Sequence, residues 1–302
     1  VTPEERLLFE AYLKARKEII DRALDRFLPG EGTFPPVLFQ SIRYSVFAGG
    51  KRIRPILCIA AAEAVGGILE VVLPAACALE LIHTYSLIHD DLPAMDDDEY
   101  RRGKLTNHRV FGEDIAILAG DALLTEAFHL LSGKELIEGI PAERVLAAIH
   151  EISEAAGCFG MVGGQVLDVE AEGKAVDLKA LNEIHSRKTG AMIRAAVRVG
   201  AILAGADEER FQALSEYGSS LGIAFQIADD ILDVEGDRDL LGKETGADVT
   251  RRKATFPAIV GIDESKTRAQ ELVDRALGAI ASLDGKADPL RWIAEFVVER
   301  KT

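Results

Sequence analysis

The sequence predicts an all-α protein, a single-domain bundle of about ten to twelve helices covering residues 1–302. Three observations carry that prediction. Apolar residues recur three and four apart in Ala- and Leu-rich segments, alternating strand-like runs are scarce, and no Pro-, Gly- or Ser-rich linker divides the chain.

The first helix is expected to begin at once, with Thr2 as N-cap, Pro3 in the first helical position and Glu5 closing a capping box. Strong punctuation follows in "LPGEGTFPP" at 28–36. The segment "IRPILCIAAAEAV" has β-branched residues, but its run of alanines fits a helix better, and the "GG" at 66–67 ends it. "PAACALELIHTYSLIH" then runs to Asp90, where Pro93 terminates or bends the helix. "SGKELIEGIP" at 132–141 precedes the periodic "RVLAAIHEISEAA", and "EGKAVD" at 172–177 precedes "ALNEIHSRKTGAMIRAAVRVGAILAG". After "AGADEE" at 204–209 a further run of apolar helical pattern leads into Asp229, Asp230 and Asp233. Gly157, Gly160, Gly163 and Gly164 need a reason in so helical a chain, either close helix approach or room for a ligand.

Composition narrows the function. With 48% hydrophobic and 28% charged residues the chain reads as globular and not as disordered. A formal net charge of −15 argues against nucleic acid, because a surface that tracks phosphates should be basic. It does not argue against a small anionic ligand, since Lys51-Arg52-x-Arg54, Arg101-Arg102 and Arg251-Arg252-Lys253 are basic islands. The start reads as a helix and not as a secretory signal, and no uninterrupted apolar run reaches the roughly 18 residues of a membrane span. Cys58, Cys77 and Cys158 are widely spaced in apolar sequence, which suggests small buried side chains in a reducing, cytoplasmic setting.

Two acidic clusters stand out. Asp90, Asp91, Asp96, Asp97, Asp98 and Glu99 crowd together just before Arg101-Arg102, although like charges at this spacing repel. Asp229, Asp230 and Asp233 repeat the arrangement, with 229 and 233 on one helix face. One such cluster is ordinarily a solvated face. Two, each at the end of an apolar helix and each followed by cations, point to oxygen ligands for a hard cation such as Mg²⁺ bound to phosphate.

"GGKRIRP" at 49–55, "DDLPAMD" at 90–96, "RRG" at 101–103, "GDALL" at 120–124, "GGQVLD" at 163–168, "KTG" at 188–190 and "FQIADDILD" at 225–233 stand in the order seen in trans-isoprenyl diphosphate synthases. The chain resembles that family over its whole length, and most of all its bacterial short-chain, farnesyl-producing members. The resemblance implies helices around a central apolar cavity, a homodimer without a membrane span, and roughly three Mg²⁺ ions per site, with Mn²⁺ as a substitute. Asp90, Asp91, Asp96, Asp229, Asp230 and Asp233 would be the metal-binding carboxylates. Arg101, Lys188, Lys243 and Lys253 would contact an allylic diphosphate. Gly50, Lys51, Arg54, His83 and Arg102 would form the isopentenyl diphosphate site, and Thr189 and Gln226 would face the developing carbocation. Asp97, Asp98 and Glu99 are read as solvated or as supporting the metal-binding carboxylates from outside. Tyr85, five residues before Asp90, would floor the pocket and stop growth at C15, a smaller residue admitting C20. Ser86 and not Tyr85 lies directly below Asp90 on the helix, so the tyrosine ring must sweep sideways.

Rival readings fit less well. A histidine–aspartate phosphohydrolase would need more clustered histidines than the six present. A terpene cyclase would lack Lys51 and Arg54, and the non-catalytic subunit of a heteromeric prenyltransferase would ordinarily have lost one aspartate motif.

Overall fold

The computed structural model describes residues 2–235 and 255–299. Its first half holds α1 (Pro3–Phe27), α2 (Pro36–Val46), α3 (Ile53–Ala64), α4 (Leu69–Asp90), α5 (Asn107–Phe111), α6 (Glu113–Leu131), α7 (Lys134–Ile137) and α8 (Ala142–Ala156). The second half holds α9 (Met161–Ala171), α10 (Leu178–His185), a π-helical turn (Ser186–Gly190), α11 (Ala191–Ala204), α12 (Glu208–Glu235), α13 (Phe256–Val260), α14 (Ile262–Ala279) and α15 (Asp288–Glu299). Twelve of these helices run eight residues or longer, in line with the expected number and the all-α class. The departure is a short antiparallel hairpin, β1 (Tyr100–Arg101) paired with β2 (Lys104–Leu105).

Local chemistry explains the boundaries. At α1 the Thr2 side chain accepts from the Glu5 N–H while the Glu5 carboxylate accepts from the Thr2 N–H, so both halves of the capping box form. Helices α3 and α4 are buried on nearly every side, which is why neither shows a clean amphipathic stripe. Together with α11 and α12 they form the centre of the bundle, α4 against α3, α6 and α11, and α11 against α3 and α12. Small residues permit this closeness. A Cβ on Gly200 of α11 would lie 2.1 Å from the Cys58 carbonyl oxygen of α3. In "GCFGMVGG" the same explanation holds for Gly164, where a Cβ would meet the Lys188 backbone nitrogen at 2.3 Å, whereas at Gly160 and Gly163 a Cβ would meet the local carbonyl oxygens of Ala155 and Cys158 in the tight turn after α8.

Cys58 and Cys77 are buried, and burial pushes the Cys58 thiol up to about 12. Cys158 is exposed, contrary to expectation, because the Gly157–Gly160 turn carries it and Phe159 outward from the end of α8. Three helical stretches, Leu69–Asp90, Glu113–Ile137 and Ala142–Ala171, have the length and mean hydropathy of a membrane span. The first is mostly inside the bundle, whereas the other two leave Ile117, Leu118, Leu146 and Val162 outward.

Candidate active site at two aspartate-bearing helix ends

Helix α4 ends on Asp90, and the backbone then folds back on itself. The Asp96 N–H donates to the Asp90 carbonyl at 2.8 Å, while the Met95 and Asp97 N–H groups both donate to the Leu92 carbonyl. Asp97 takes a positive φ of 52° to complete the turn, so Asp96 returns to the helix end beside Asp90. Burial raises the Asp90 carboxyl to about 6, with Lys188 and Arg101 opposing the rise and Asp96 and Asp91 adding to it. This is a carboxylate held where an external cation is needed.

Asp91 is used differently. It is buried and accepts from Arg101 Nε at 2.7 Å, with Arg101 Nη2 2.5 Å from the same oxygen. The hairpin makes that contact possible. Arg102 (φ 54°) and Gly103 (φ 73°) occupy the left-handed positions of its two-residue turn. The turn presents Arg101 to Asp91 on one side and sends Arg102 to the Gly49 carbonyl on the other. Gly50 takes a φ of 117°, which favours glycine, and the Arg102 guanidinium lies 2.7 Å from where a Cβ would be.

A basic pocket surrounds this corner. Arg54 has a buried Nε without a hydrogen-bond partner among the described residues, and Glu80 and Asp229 are the opposite charges acting on its guanidinium. His83 is held well below the ordinary histidine range, first by burial and then by Arg54, Arg102, Arg101 and Arg52, so it is a neutral ring among arginines. Lys51 is exposed, its ammonium 5.8 Å from the Phe296 ring centre. Arg52 belongs to the interior instead. It pairs with Glu80 at 2.7 Å and Asp21 at 2.9 Å and donates to the Val46 carbonyl at 2.6 Å.

The other wall comes from the π-helical turn and α12. Lys188 donates to Asp168 at 2.6 Å and is also the largest favourable charge acting on Asp90. Thr189 Oγ1 donates to Gln226 Oε1 at 2.8 Å, and Gln226 Nε2 donates to Asp230 Oδ1 at 3.0 Å. Asp230 Oδ2 accepts from the Phe256 N–H at 2.9 Å and lies 3.7 Å from His185 Nε2. Both Asp230 oxygens therefore have protein donors. Asp233 is buried, and its Oδ2 has no hydrogen-bond partner among the described residues. Asp229 is coupled electrostatically to Arg54, which links α12 to the basic pocket. Lys243 and Lys253 lie outside the described residues.

The oxygen donors fit a hard divalent cation. Among the described residues no three His, Cys, Asp or Glu side chains come together to cage an ion unaided. Mg²⁺ ordinarily takes one or two carboxylates and completes its octahedron with water and substrate phosphate. The half-buried, upward-shifted Asp90 and the Asp233 oxygen left without a partner among the described residues are the observations that favour a bound cation.

Two functional neighbours had only weak sequence signals. Asp168 ends the "GGQVLD" block and anchors Lys188, and His185 stacks on Phe256 with ring centres 5.4 Å apart. The first was legible in a motif without a stated role, whereas the second sat in an ordinary helical run.

The sequence profile of the polyprenyl synthetase family matches residues 35–288. The chain is 50% identical over 291 residues to geranylgeranyl diphosphate synthase of Cyanophora paradoxa, covering 96% of this chain and 95% of that protein. It is 45% identical over 295 residues to farnesyl diphosphate synthase of Geobacillus stearothermophilus, covering 97% and 98%. The crystal structure of geranylgeranyl pyrophosphate synthetase from Pyrococcus horikoshii superposes with a TM-score of 0.89 at 35% identity, covering 98% of this chain and 99% of that one. The paired aspartate helix ends, the arginine-rich corner and these full-length similarities lead to one conclusion: the chain belongs to the polyprenyl synthetase family of trans-prenyltransferases.

Proposed function

We propose that the protein condenses isopentenyl diphosphate with dimethylallyl or geranyl diphosphate and releases farnesyl diphosphate. The single observation that carries the reaction class is the juxtaposition of Asp90 and Lys188 beside an arginine pocket that contains a guanidinium nitrogen of Arg54 unpaired among the described residues. Carboxylates for metal and cations for phosphate thus sit on neighbouring surfaces, as two diphosphate substrates require. Asp90, Asp96 and Asp229 would hold Mg²⁺ (or Mn²⁺), with Asp233 beside them and with Asp91 and Asp230 acting through the side chains they anchor. When bound, the ions neutralise the leaving diphosphate as Lewis acids.

The chain's own groups do the rest. Lys188 and Arg101 orient the allylic diphosphate, so that the C–O bond breaks with its electron pair leaving on oxygen. Lys51, Arg54 and Arg102 hold isopentenyl diphosphate, whose double bond attacks the allylic carbon. A proton then leaves to the departing diphosphate, so no protein base is needed. Neutral His83 adds a hydrogen bond without competing for metal. Thr189 donates its proton to Gln226, which leaves the Thr189 oxygen lone pairs to face developing positive charge. We extend the same proposal to a homodimer, in which a second copy covers the outward Ile117, Leu118 and Leu146 of the packed pair α6 and α8. Sedimentation velocity should give twice the chain mass, and a monomer at micromolar concentration would discard this assembly.

Tyr85 supports a C15 product: its side chain is buried just below the aspartate end of α4, and burial together with Asp90 raises its hydroxyl to about 12. The alternative C20 product is favoured by the 50% identity to a geranylgeranyl diphosphate synthase. The deciding experiment supplies labelled isopentenyl diphosphate, Mg²⁺ and, in turn, dimethylallyl, geranyl or farnesyl diphosphate, and separates products by chain length. C15 accumulation with farnesyl diphosphate a poor acceptor is the expected result. C20 would keep the chemistry and replace the product, whereas no condensation by folded protein would end the proposal.

A further inference from the structure

A residue that limits chain growth must be held in place, or the growing chain will push it aside. Tyr85 is not directly below Asp90 on α4; it lies one turn from His89, on the same side of the helix. Its ring meets the edge of His89, nearer the aspartates, with ring centres 5.8 Å apart and planes at 77°. His89 is itself fixed from the far side. Its Nε2 lies 3.1 Å from the Ile117 carbonyl oxygen, which can only accept, so Nε2 carries the proton. The same ring occupies the place of a missing side chain on α6. A Cβ on Gly120 would lie 2.1 Å from His89 Nε2 and within 2.8 Å of both neighbouring ring carbons. Glycine inside a helix weakens it, so Gly120 needs a reason, and the imidazole supplies one.

We propose that His89 is a specificity-determining positioning residue: wedged between Gly120 and Tyr85, it holds the tyrosine ring across the chain-elongation path and so sets product length. The inference rests on the reading of Tyr85 as the pocket floor. His89 touches neither substrate nor reacting atoms in this role. It works through the tyrosine, and its effect falls on product distribution and not on ionisation.

The test measures the C20:C15 product ratio of the full-length enzyme with Mg²⁺, isopentenyl diphosphate and geranyl diphosphate. The variants are Tyr85→Ala, His89→Ala and the double variant. His89→Ala should raise the ratio about three- to tenfold, the scale of one lost edge-to-face contact, while total turnover stays within a few-fold. Tyr85→Ala should raise it further, and the double variant should match Tyr85→Ala alone, because a residue acting through Tyr85 has nothing left to position. An unchanged ratio in His89→Ala alongside a raised one in Tyr85→Ala overturns the role of His89 and leaves the floor intact. Additive effects in the double variant also overturn it. An unchanged ratio in Tyr85→Ala, or C20 as the wild-type product, overturns the floor reading itself. Should His89→Ala fail to fold, His89→Gln keeps a donor toward Ile117 without the ring and carries the same expectation.

Discussion

Asp90→Asn is expected to lower kcat by about a thousandfold or more while leaving the thermal melt of the metal-free protein unchanged or improved. Asp90 is raised to about 6 by its surroundings, so in the absence of metal its charge opposes folding. A carboxyl whose folded pKa lies above its unfolded one takes up protons on folding, so metal-free stability falls as pH rises from about 4 to about 6. Removing that charge should therefore not unfold the protein. It should remove the ligand around which diphosphate ionisation is organised. The same shift fixes a pH signature. At pH 5.5 a group with a pKa of about 6 is only about a quarter ionised, so Mg²⁺ affinity in the presence of inorganic diphosphate should drop about fourfold relative to pH 7.5. Calorimetric titration of both proteins at the two pH values checks this: Asp90→Asn should lose the fourfold share due to Asp90 and keep only the share that protonation of the diphosphate itself contributes. A variant retaining more than a tenth of wild-type turnover would remove Asp90 from the metal site.

How much of this site was legible follows from what each residue type can do alone. Paired carboxylates at helix ends announce themselves, because only a cation makes their spacing tolerable. Asp96 could be expected to return to Asp90 since Pro93 ends the helix between them, and the backbone bonds from Met95, Asp96 and Asp97 accomplish that return. The hairpin at 100–105 was not legible. Its strands are two residues each, and the turn uses Arg102 at positive φ, where a sequence reading expects Asn or Gly. Without the hairpin, nothing in the sequence shows that Arg101 would lock Asp91. Nor does it show that Asp230 would be occupied by Gln226 and Phe256, because the second partner is 26 residues away. The sideways lean of Tyr85 was foreseeable from the helical wheel, but the histidine that receives it was not. His89 sits in the sequence beside Asp90, just outside the "DDLPAMD" block, whereas in the fold it faces α6. The glycines of "GCFGMVGG" left two explanations open, and the short approach of α9 to the π-helical turn supports packing.

Arg52 sharpens the distinction between a basic motif and a basic site. "GGKRIRP" offers three cations in four positions, and composition alone cannot rank them. In the fold Lys51 is exposed, Arg54 reaches the pocket, and Arg52 turns inward with its side chain 1% exposed against Glu80 at 2%. Burial lowers the Arg52 pKa most, but Glu80 and Asp21 more than offset it, so the guanidinium stays charged. Arg52→Ala is therefore expected to destabilise the protein by about 3–5 kcal/mol, because it leaves Glu80 buried without its counter-ion. The pairwise logic predicts the second half of the experiment. Adding Glu80→Leu to Arg52→Ala should recover much of the loss, since most of the penalty belongs to the stranded charge and not to the missing bond. Arg54→Ala should do the opposite, leaving the urea midpoint near wild type and raising KM for isopentenyl diphosphate about tenfold or more. Urea melts and steady-state kinetics on the four proteins separate the two roles. If Arg52→Ala melts like wild type and instead weakens isopentenyl diphosphate, the buried pair is not structural. The pocket would then extend one residue deeper, and Arg52 would join Lys51 and Arg54 as a ligand.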